Sequence, residues 1–328
     1  MRALIRSGNP KTLSFTTDFL EPTPEEFADH YIIRTKTTAL TRGELTWPEP
    51  LIPQTPIPGF DLAGIIEQAP TKPANRSNAY KPGDEVYALS TFSWQGNAKE
   101  ITVATEEELA LKPKNVNWEE AASVPLSALS AWQALFVHAK LQPPSPNSPS
   151  ANKGKRVLIT AASGGVGIWG VQLAHLAGIE EVVATCGTSN VEFVKSLGAD
   201  TVLDYRKIDV LEWVSVKREE RGFDVILDCI GGQTLTDVWK CARKGGRVIS
   251  VAEPPDPKKP ADGIAEGVES TWYIVTANGE QLTEITKLIE ERKVNGVVDS
   301  VYMLEEYKEA FERLEGGHAR GKVVLKVA

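Results

Sequence analysis

Hydrophobic and polar residues change their spacing along the chain, and the changes predict where strands and helices lie. From Met1 to about Val124, short apolar segments alternate with turns rich in proline and glycine, which is typical of β-strands. From Trp118 to Ala139 the apolar residues recur at helical spacing, and Asn117 is a suitable N-cap. The sequence therefore predicts a mainly β region that is followed by a helix.

Strands and helices alternate over the middle of the chain, up to about Ala252. The predicted strands are RVLIT, EVVAT, TVLDY, FDVILDCIG and GRVISVA, and the helices between them include VEFVKSLG at 191–198 and TLTDVWKCARKG at 234–245. Such alternation predicts a doubly wound parallel sheet with both faces covered. The chain ends in a strand (TWYIV), two helices and a strand (KVVLKV) that we expect to return to the first region.

A polar segment, LQPPSPNSPSANKG, separates the first helix from the alternating region. Its content of Pro, Ser and Asn is typical of a mobile surface loop. Because the segment has few apolar residues to bury, we expect residues 142–153 to be dispensable.

One glycine turn in the alternating region carries candidate chemistry. The segment RVLITAASGGVG predicts a strand and a tight turn that contains Gly164, Gly165 and Gly167, and a helix follows. Glycine adopts backbone angles closed to other residues and leaves room for a pyrophosphate against the amide groups at the helix N-terminus. A second strand follows at the distance that a βαβ crossover requires, so the turn is predicted to bind a dinucleotide.

The end of that second strand predicts which dinucleotide binds. An NAD site usually has an acid about twenty residues after the glycines, where it grips the ribose hydroxyls, but residues 183–190 contain none. The segment offers short polar groups that can accommodate a ribose 2'-phosphate. They are Thr188, Ser189 and Asn190, with nearby donors at Lys195, Tyr205 and Arg206. NADPH is therefore predicted, although Ser189 and Asn190 would also suit a polar loop that caps the next helix.

Composition and charge narrow the class of protein. The length of 328 residues suits two domains, and a net charge of −8 without a basic cluster argues against nucleic acid and anionic membranes as partners. The sequence has no apolar run of about eighteen residues, and its first residues lack the apolar core of a secretion signal. Cys186, Cys229 and Cys241 are widely spaced, as expected of reduced thiols. We therefore expect a cytoplasmic protein.

Several motifs in order resemble the medium-chain dehydrogenase/reductase superfamily, in particular its zinc-free quinone oxidoreductase and enoyl reductase branch. They are IPGFDLAGII at 57–66, KPGDEVYAL at 81–89, AASVPLSALSAWQAL at 121–135, AASGGVG at 161–167, SLGADTVLDYR at 196–206, FDVILDCIGG at 223–232 and GHARGKVVLKV at 317–327. The resemblance implies an α/β protein with a GroES-like twisted β domain, residues 1–124 and 276–328. It also implies a Rossmann domain with a doubly wound parallel sheet, residues 125–275, and a cleft between the domains for substrate and nicotinamide.

The residues at the zinc-ligand positions of the superfamily favour its zinc-free branch. Zinc alcohol dehydrogenases of this superfamily hold the metal with cysteine, histidine and acidic ligands. Phe60 and Asp61 stand where the histidine and glutamate would be, and no cysteine precedes Cys186. We therefore predict no metal site. Hydride addition to a polarised C=C bond or a quinone is then the less demanding chemistry, because the new charge moves onto an oxygen that needs only a hydrogen-bond donor.

The resemblance also implies site residues by position. The cofactor-binding positions are Ser130, Ser163, Gly164, Gly165, Val166, Gly187, Thr188, Ser189, Asn190, Tyr205, Ile230, Val251, Tyr273, Ile274 and Val275. The substrate-binding positions are Thr41, Arg42 and Trp47 in one loop, with Phe92 and Trp94 opposite. Packing is an equally good account of the tryptophans. We expect Lys322 to bury its stem and keep its ammonium solvated.

Arg42 is the candidate catalytic residue, as a fixed cation that donates a hydrogen bond to the substrate oxygen. Contact with cofactor phosphate or with solvent is the alternative for this side chain. The leading function is a zinc-independent NADPH-dependent reductase of an α,β-unsaturated carbonyl or a quinone, and a homodimer is compatible with it. A dedicated enoyl reductase of natural-product biosynthesis and a non-catalytic NADPH-binding sensor or structural protein are the alternatives.

Overall fold

A computed structural model describes residues 1–7, 12–47, 57–73, 79–92, 95–145 and 151–328. The chain divides into two compact units, Met1–Leu129 with Thr276–Ala328, and Ser130–Val275. The domain bounds that the resemblance implies, 1–124 with 276–328 and 125–275, stay a prediction. The boundary after Leu129 falls within the helix that runs from Pro125 to Trp132.

The strands and helices of the described residues follow the predicted change from β-structure to alternation. The strands are β1 (Ala3–Ser7), β2 (Thr12–Thr16), β3 (Tyr31–Leu40), β4 (Asp61–Gln68), β5 (Glu85–Leu89), β6 (Ile101–Ala104), β7 (Leu109–Leu111), β8 (Arg156–Ile159), β9 (Glu181–Cys186), β10 (Thr201–Asp204), β11 (Phe223–Asp228), β12 (Ala242–Ser250), β13 (Glu269–Trp272), β14 (Val298–Met303) and β15 (Lys322–Lys326). The helices are α1 (Trp118–Ala122), α2 (Pro125–Trp132), α3 (Gly165–Leu176), α4 (Val191–Ser196), α5 (Val210–Ser215), α6 (Arg218–Arg221), α7 (Gly232–Trp239), α8 (Gly279–Glu290) and α9 (Tyr307–Glu315). None of these described helices is both long enough and apolar enough to cross a membrane.

The first unit is built on antiparallel pairing around β3. Its larger sheet has the order β14, β15, β3, β4, β5, β7, and β6 also pairs with β3. The last strand pairs with β3 in a register that sets Leu325 opposite Thr38. This pairing confirms that the chain returns to its first region. Buried apolar residues such as Leu40, Ile57 and Leu325 form the core beneath it.

The second unit contains a parallel sheet with the strand order β10, β9, β8, β11, β12, β13. All of its pairings are parallel. The chain starts in the middle at β8, extends the sheet to one side and then crosses to the other, which is the doubly wound arrangement predicted from the sequence. Leu158, Ile226 and Val248 are fully buried, as expected for strands covered on both faces.

Three predicted elements have different bounds in the structure. The helix predicted over 118–139 is interrupted before Pro125, because proline has no N–H to continue the hydrogen-bond ladder. The helix predicted over 234–245 ends at Trp239, because Ala242 enters the sheet beside Phe223. The strand predicted from TWYIV ends at Trp272.

The polar loop is anchored by one buried residue, so its base is not the unattached surface loop that the composition indicated; that residues 142–153 are dispensable for cofactor binding stays a prediction. Residues 146–150 lie outside the described residues. Asn152 is 3% exposed; its amide nitrogen donates to the carbonyls of Gln142 (2.9 Å) and Ala177 (2.7 Å). Its side-chain oxygen accepts from the Gln142 N–H (3.0 Å). The base of the loop is therefore part of the second unit's hydrogen-bonded structure.

We expect Asn152→Ala to lower the free energy of unfolding by about 1 to 3 kcal/mol, because it leaves buried backbone groups without partners. Denaturant unfolding of the variant and the wild type measures this difference. Lys153→Ala, at the exposed neighbouring position, is the control and should stay within about 0.5 kcal/mol of wild type. Equal stability of the two variants would contradict the anchoring role.

Candidate functional site

The predicted dinucleotide turn lies at the carboxyl edge of the parallel sheet. β8 ends at Ile159, and α3 begins at Gly165 with Gly164 as an N-cap that offers no side-chain hydrogen bond. A Cβ at Gly167 would lie 2.3 Å from the carbonyl oxygen of Ala161, so only glycine fits this close approach. The first N–H groups of a helix have no acceptor within the helix. They are therefore available to an anionic group such as a pyrophosphate.

A buried aspartate ties together the strand ends beside this turn. Asp228, which ends β11, accepts hydrogen bonds from the hydroxyls of Thr160 (3.2 Å) and Ser250 (2.9 Å). It also accepts from the backbone N–H groups of Ile230 (3.3 Å) and Gly231 (2.9 Å). Burial raises the pKa of Asp228, and these bonds lower it in part. Asp228 was not predicted from the sequence. The signal that could have identified it is an acid directly after the apolar run VIL, where a buried strand ends.

The structure also brings an acid to the end of β9, where residues 183–190 have none. Asp204 pairs in register with Cys186 on the neighbouring strand. Its carboxylate accepts a hydrogen bond from the Thr188 hydroxyl (2.7 Å), and the Lys207 ammonium lies 3.3 Å away. The Thr188 hydrogen bond is the main cause that lowers the pKa of Asp204. The local segment therefore did not reveal every charge near the predicted ribose site.

Several of the predicted cofactor-binding residues lie side by side at the ends of β8 and β9. The Asn190 amide donates to the Ser163 hydroxyl (3.1 Å). The Tyr205 hydroxyl lies 3.2 Å from the position that a Cβ on Gly187 would take. Gly165 and Val166 form the first turn of α3, and Thr188 and Ser189 are exposed.

A second group of predicted cofactor residues lies at the other strand ends. The Tyr273 hydroxyl donates to the Ser130 carbonyl, and its ring lies 4.1 Å from that of His138. The Val251 N–H donates to the Asp228 carbonyl at 3.0 Å, which places Val251 at the same edge. Ile230 (48% exposed) and Ile274 (37%) present apolar side chains to the surface of this unit, whereas Val275 is buried.

In the first unit, two of the predicted substrate-binding residues meet in an aromatic cluster, Trp47, Phe60 and Phe92. The ring centroids are 5.6 Å apart for Trp47 and Phe60, 5.3 Å for Trp47 and Phe92, and 4.9 Å for Phe60 and Phe92. Trp94, the third predicted aromatic residue, lies outside the described residues. Phe60, at the position of a missing zinc ligand, is thus engaged in aromatic packing.

Arg42 packs against a glycine turn and not against this aromatic cluster. Its side chain is exposed, and its guanidinium carbon lies 3.3 Å from the position that a Cβ on Gly317 would take. Gly317 has φ +71°, a conformation that favours glycine. The guanidinium therefore covers a glycine turn, and a role toward substrate stays a prediction.

Lys322 is buried, so the expectation of a solvated ammonium is wrong. The residue is 5% exposed. Its ammonium lies 3.0 Å from a carboxylate oxygen of Asp61 and donates to the Thr41 hydroxyl at 3.0 Å. Asp61 is fully buried, and its other oxygen accepts from the Leu126 N–H at 2.6 Å. The buried carboxylate supplies the counter-charge that makes burial of the ammonium tolerable.

Glu44 adds a second buried acid to this group. It is 2% exposed, and its carboxyl oxygens accept from the backbone N–H groups of Gly59 (3.1 Å) and Thr41 (3.3 Å). Burial raises the pKa of Glu44 to about 7, and the charge of Lys322 opposes part of that rise. Burial also raises the pKa of Asp61. The charge of Lys322 thus acts on both acids although it pairs directly with Asp61, and we call Thr41, Glu44, Asp61 and Lys322 the buried polar network.

We expect the wild type to lose stability relative to Glu44→Gln as the pH rises from 5 to 8. The folded-state pKa of about 7 lies above the ordinary value of 4.5. The contribution of Glu44 is therefore complete below about pH 4.5 and is lost as the pH rises through 7. Urea unfolding at both pH values should show a relative change of about 1 to 3 kcal/mol. Glu107→Gln, at an exposed position, is the control; an identical pH dependence in both variants would contradict the assignment.

Metal ligation finds no support in the described residues. No group of three or more His, Cys, Asp or Glu side chains there has an arrangement that could hold a metal ion.

Comparisons with known proteins agree with this architecture. The family model for zinc-binding dehydrogenases matches residues 197–325. The protein of Arthroderma benhamiae named "Probable zinc-binding oxidoreductase, mitochondrial" is 42% identical over 308 residues, which cover 93% of this chain and 91% of that protein. The "Quinone-oxidoreductase homolog, chloroplastic" of Spinacia oleracea is 31% identical over 325 residues, with 92% and 91% covered. A crystal structure of an NAD-dependent alcohol dehydrogenase is 26% identical and covers 100% of both chains with a TM-score of 0.80.

Both relatives carry organelle names, so a cytoplasmic location stays a prediction for this chain. The matched lengths cover 93% and 92% of this chain, so the similarity extends over both structural units. These observations show that the chain is an oxidoreductase that belongs to the medium-chain dehydrogenase/reductase superfamily, in its quinone oxidoreductase branch.

Proposed function

We propose that this oxidoreductase is a zinc-independent NADPH-dependent reductase of an α,β-unsaturated carbonyl or a quinone. The observation that carries the proposal is the glycine cradle at the start of α3. Gly164 offers no side-chain cap, and Gly167 lies too close to Ala161 for any Cβ. The cradle also lies at the switch point between β8 and β11, where doubly wound sheets bind ligands.

NADPH, when bound, supplies a hydride. The turn from Ser163 to Val166 would hold its pyrophosphate through backbone N–H groups. Ser189, Asn190 and Tyr205 would receive the 2'-phosphate, with Arg206 as a nearby cation. The charge of Asp204, the acid at this end, is balanced by Lys207 and engaged by Thr188. Ser130 and Tyr273, which are joined by a hydrogen bond, would line the nicotinamide end of the cofactor site.

Ser189→Asp is expected to weaken NADPH binding by roughly tenfold to a hundredfold, because it places a negative charge beside the 2'-phosphate. NADH has no phosphate there, so its affinity should change little. Fluorescence titration of wild type and variant with both nucleotides measures the two affinities. Wild type that binds NADH as tightly as NADPH would contradict the proposed specificity.

The contacts of Phe60 and Asp61 support the proposal that no zinc takes part. The Phe60 ring packs against both Trp47 and Phe92, and phenylalanine has no ligand atom. Asp61 already pairs with Lys322 and the Leu126 N–H. The aromatic cluster also suits a planar unsaturated acceptor, since flat rings and conjugated bonds pack well against aromatic faces. Arg42 and Thr41 are the proposed polar residues on the substrate side.

The test is NADPH oxidation by the full chain with a panel of enones, quinones and enoyl thioesters, before and after treatment with a strong chelator. We expect oxidation with at least one class of acceptor, with equal rates after chelation and no stoichiometric zinc by metal analysis. A rate that falls on chelation and returns with zinc would overturn the metal-free proposal. Tight NADPH binding without oxidation by any acceptor would overturn the reductase and favour a non-catalytic NADPH-binding protein.

A further inference from the structure

The direction of one hydrogen bond in the buried polar network is fixed by chemistry. The Lys322 ammonium and the Thr41 hydroxyl oxygen are 3.0 Å apart. An ammonium group has three donors and no acceptor, so the hydroxyl oxygen must accept. The proton of the Thr41 hydroxyl is therefore free to be donated elsewhere. Within the part of the chain that the structure describes, the hydroxyl has no other hydrogen-bond partner.

The residues of the buried polar network differ in exposure, from a fully buried end to a partly exposed end. Asp61, Glu44 and Lys322 are all at most 5% exposed, whereas Thr41 is only half-buried. The fixed carboxylate of Asp61 holds the ammonium, and the ammonium holds the hydroxyl. A hydroxyl group that accepts a charge-assisted hydrogen bond becomes polarised. Its own proton is then donated more strongly to the next acceptor. The arrangement thus presents a polarised O–H group at its exposed end.

We propose that the Thr41 hydroxyl, positioned by Lys322 and Asp61, donates a hydrogen bond to the oxygen of the unsaturated carbonyl or quinone substrate. This inference rests on the proposed reductase function. As the substrate gains hydride, its π electron pair moves onto that oxygen, and the hydrogen bond strengthens. No bond within Thr41 breaks: its proton stays on Oγ1, and water supplies the proton that completes the reduction. Thr41 is then a catalytic residue, and Lys322 is a positioning residue.

This assignment gives the donor role to Thr41 in place of Arg42. The guanidinium of Arg42 is exposed and covers Gly317, and among the described residues no buried partner fixes it. A preorganised donor costs no reorganisation when charge develops, which is the condition for large stabilisation. The half-buried Thr41 hydroxyl, which is held by the buried Lys322 ammonium, meets this condition better than the Arg42 guanidinium does.

The first measurement compares Thr41→Val, Thr41→Ser and Thr46→Val with acceptors that the wild type reduces. Valine keeps the shape of threonine and removes the hydroxyl. Thr46 lies in the same loop, but its hydroxyl already donates to the Gly43 carbonyl at 2.9 Å, so Thr46→Val is the matched control. We expect Thr41→Val to lower kcat by roughly tenfold to a hundredfold with unchanged NADPH affinity. Thr41→Ser and the control should stay within about twofold of wild type.

The second measurement does not need turnover. 4-Nitrophenolate carries an oxyanion beside an aromatic ring, and its absorbance reports binding. We expect Thr41→Val to bind this probe about tenfold more weakly than the wild type, since one donor to an oxyanion is lost. Thr41→Ser should bind it like the wild type. Lys322→Arg, which keeps a cationic donor, should retain more of the affinity than Lys322→Met, and Thr41→Val should add little to the loss in Lys322→Met.

The outcomes separate this inference from the proposed function. A wild-type reductase whose Thr41→Val variant keeps kcat and 4-nitrophenolate affinity overturns the donor role alone. An equal loss in Thr41→Ser and Thr41→Val also overturns it, because the hydroxyl would then not be the reason. A wild type that oxidises no NADPH with any acceptor overturns the reductase and this inference together.

Discussion

Lys322→Met is expected to lower the free energy of unfolding by about 3 to 5 kcal/mol at pH 7. Methionine fills most of the space of the lysine stem but removes the charge that lies 3.0 Å from Asp61. Asp61 is fully buried, so its carboxylate would be left without a counter-charge and without access to water. The Thr41 hydroxyl would lose its donor as well. Urea unfolding of the purified variant and the wild type measures the difference.

Lys326→Met is the matched control for this effect. Lys326 ends the same strand and pairs with Glu119 at 2.6 Å, but its side chain is 45% exposed. Loss of this partly exposed ion pair should cost less, about 1 kcal/mol, because water still reaches the Glu119 side chain, which is 18% exposed, whereas Asp61 is fully buried. The double variant Lys322→Met/Asp61→Leu should recover part of the loss, since it removes the orphaned charge. Equal losses in Lys322→Met and Lys326→Met would contradict the buried pairing.

Gly167→Val is expected to weaken NADPH binding by about a hundredfold or more. A Cβ at this position would lie 2.3 Å from the Ala161 carbonyl oxygen and 2.7 Å from the Ala162 Cα. Both are backbone atoms, so α3 and the turn would have to move apart. A displacement of about 1 Å in a positioning element is enough for a loss of this size. Fluorescence titration with NADPH measures it, and circular dichroism shows whether the variant is folded.

Gly164→Ala in the same turn provides a graded comparison. Its Cβ would lie 3.3 Å from the same carbonyl oxygen, a contact that a shift of a few tenths of an ångström relieves. We therefore expect a smaller loss of affinity than for Gly167→Val. A folded Gly167→Val variant that binds NADPH like the wild type would show that the cradle is not the dinucleotide site.

Much of the fold was predictable because its signals are local. Apolar runs of strand length that alternate with helical spacing predicted the doubly wound sheet, and the order of the strands confirms it. Helix ends were less predictable. The helix predicted over 118–139 is interrupted at Pro125, and the one predicted to reach residue 245 ends at Trp239. Pairing of Ala242 with Phe223 overrides local helical spacing there, because a strand in a sheet gains hydrogen bonds from a partner distant in sequence.

By itself, the sequence determined the superfamily, the doubly wound sheet and the glycine turn, since each depends on residue types at short spacings. Only the tertiary structure decided which polar groups are buried together. Thr41 and Lys322 are 281 positions apart, and no local pattern shows that the charge of Lys322 acts on both Asp61 and Glu44. Asp204 likewise reaches the end of β9 from the neighbouring strand. The physical reason is that the charge state and hydrogen-bond direction of a buried group depend on its neighbours in space, which the return of the last strand to β3 brings together.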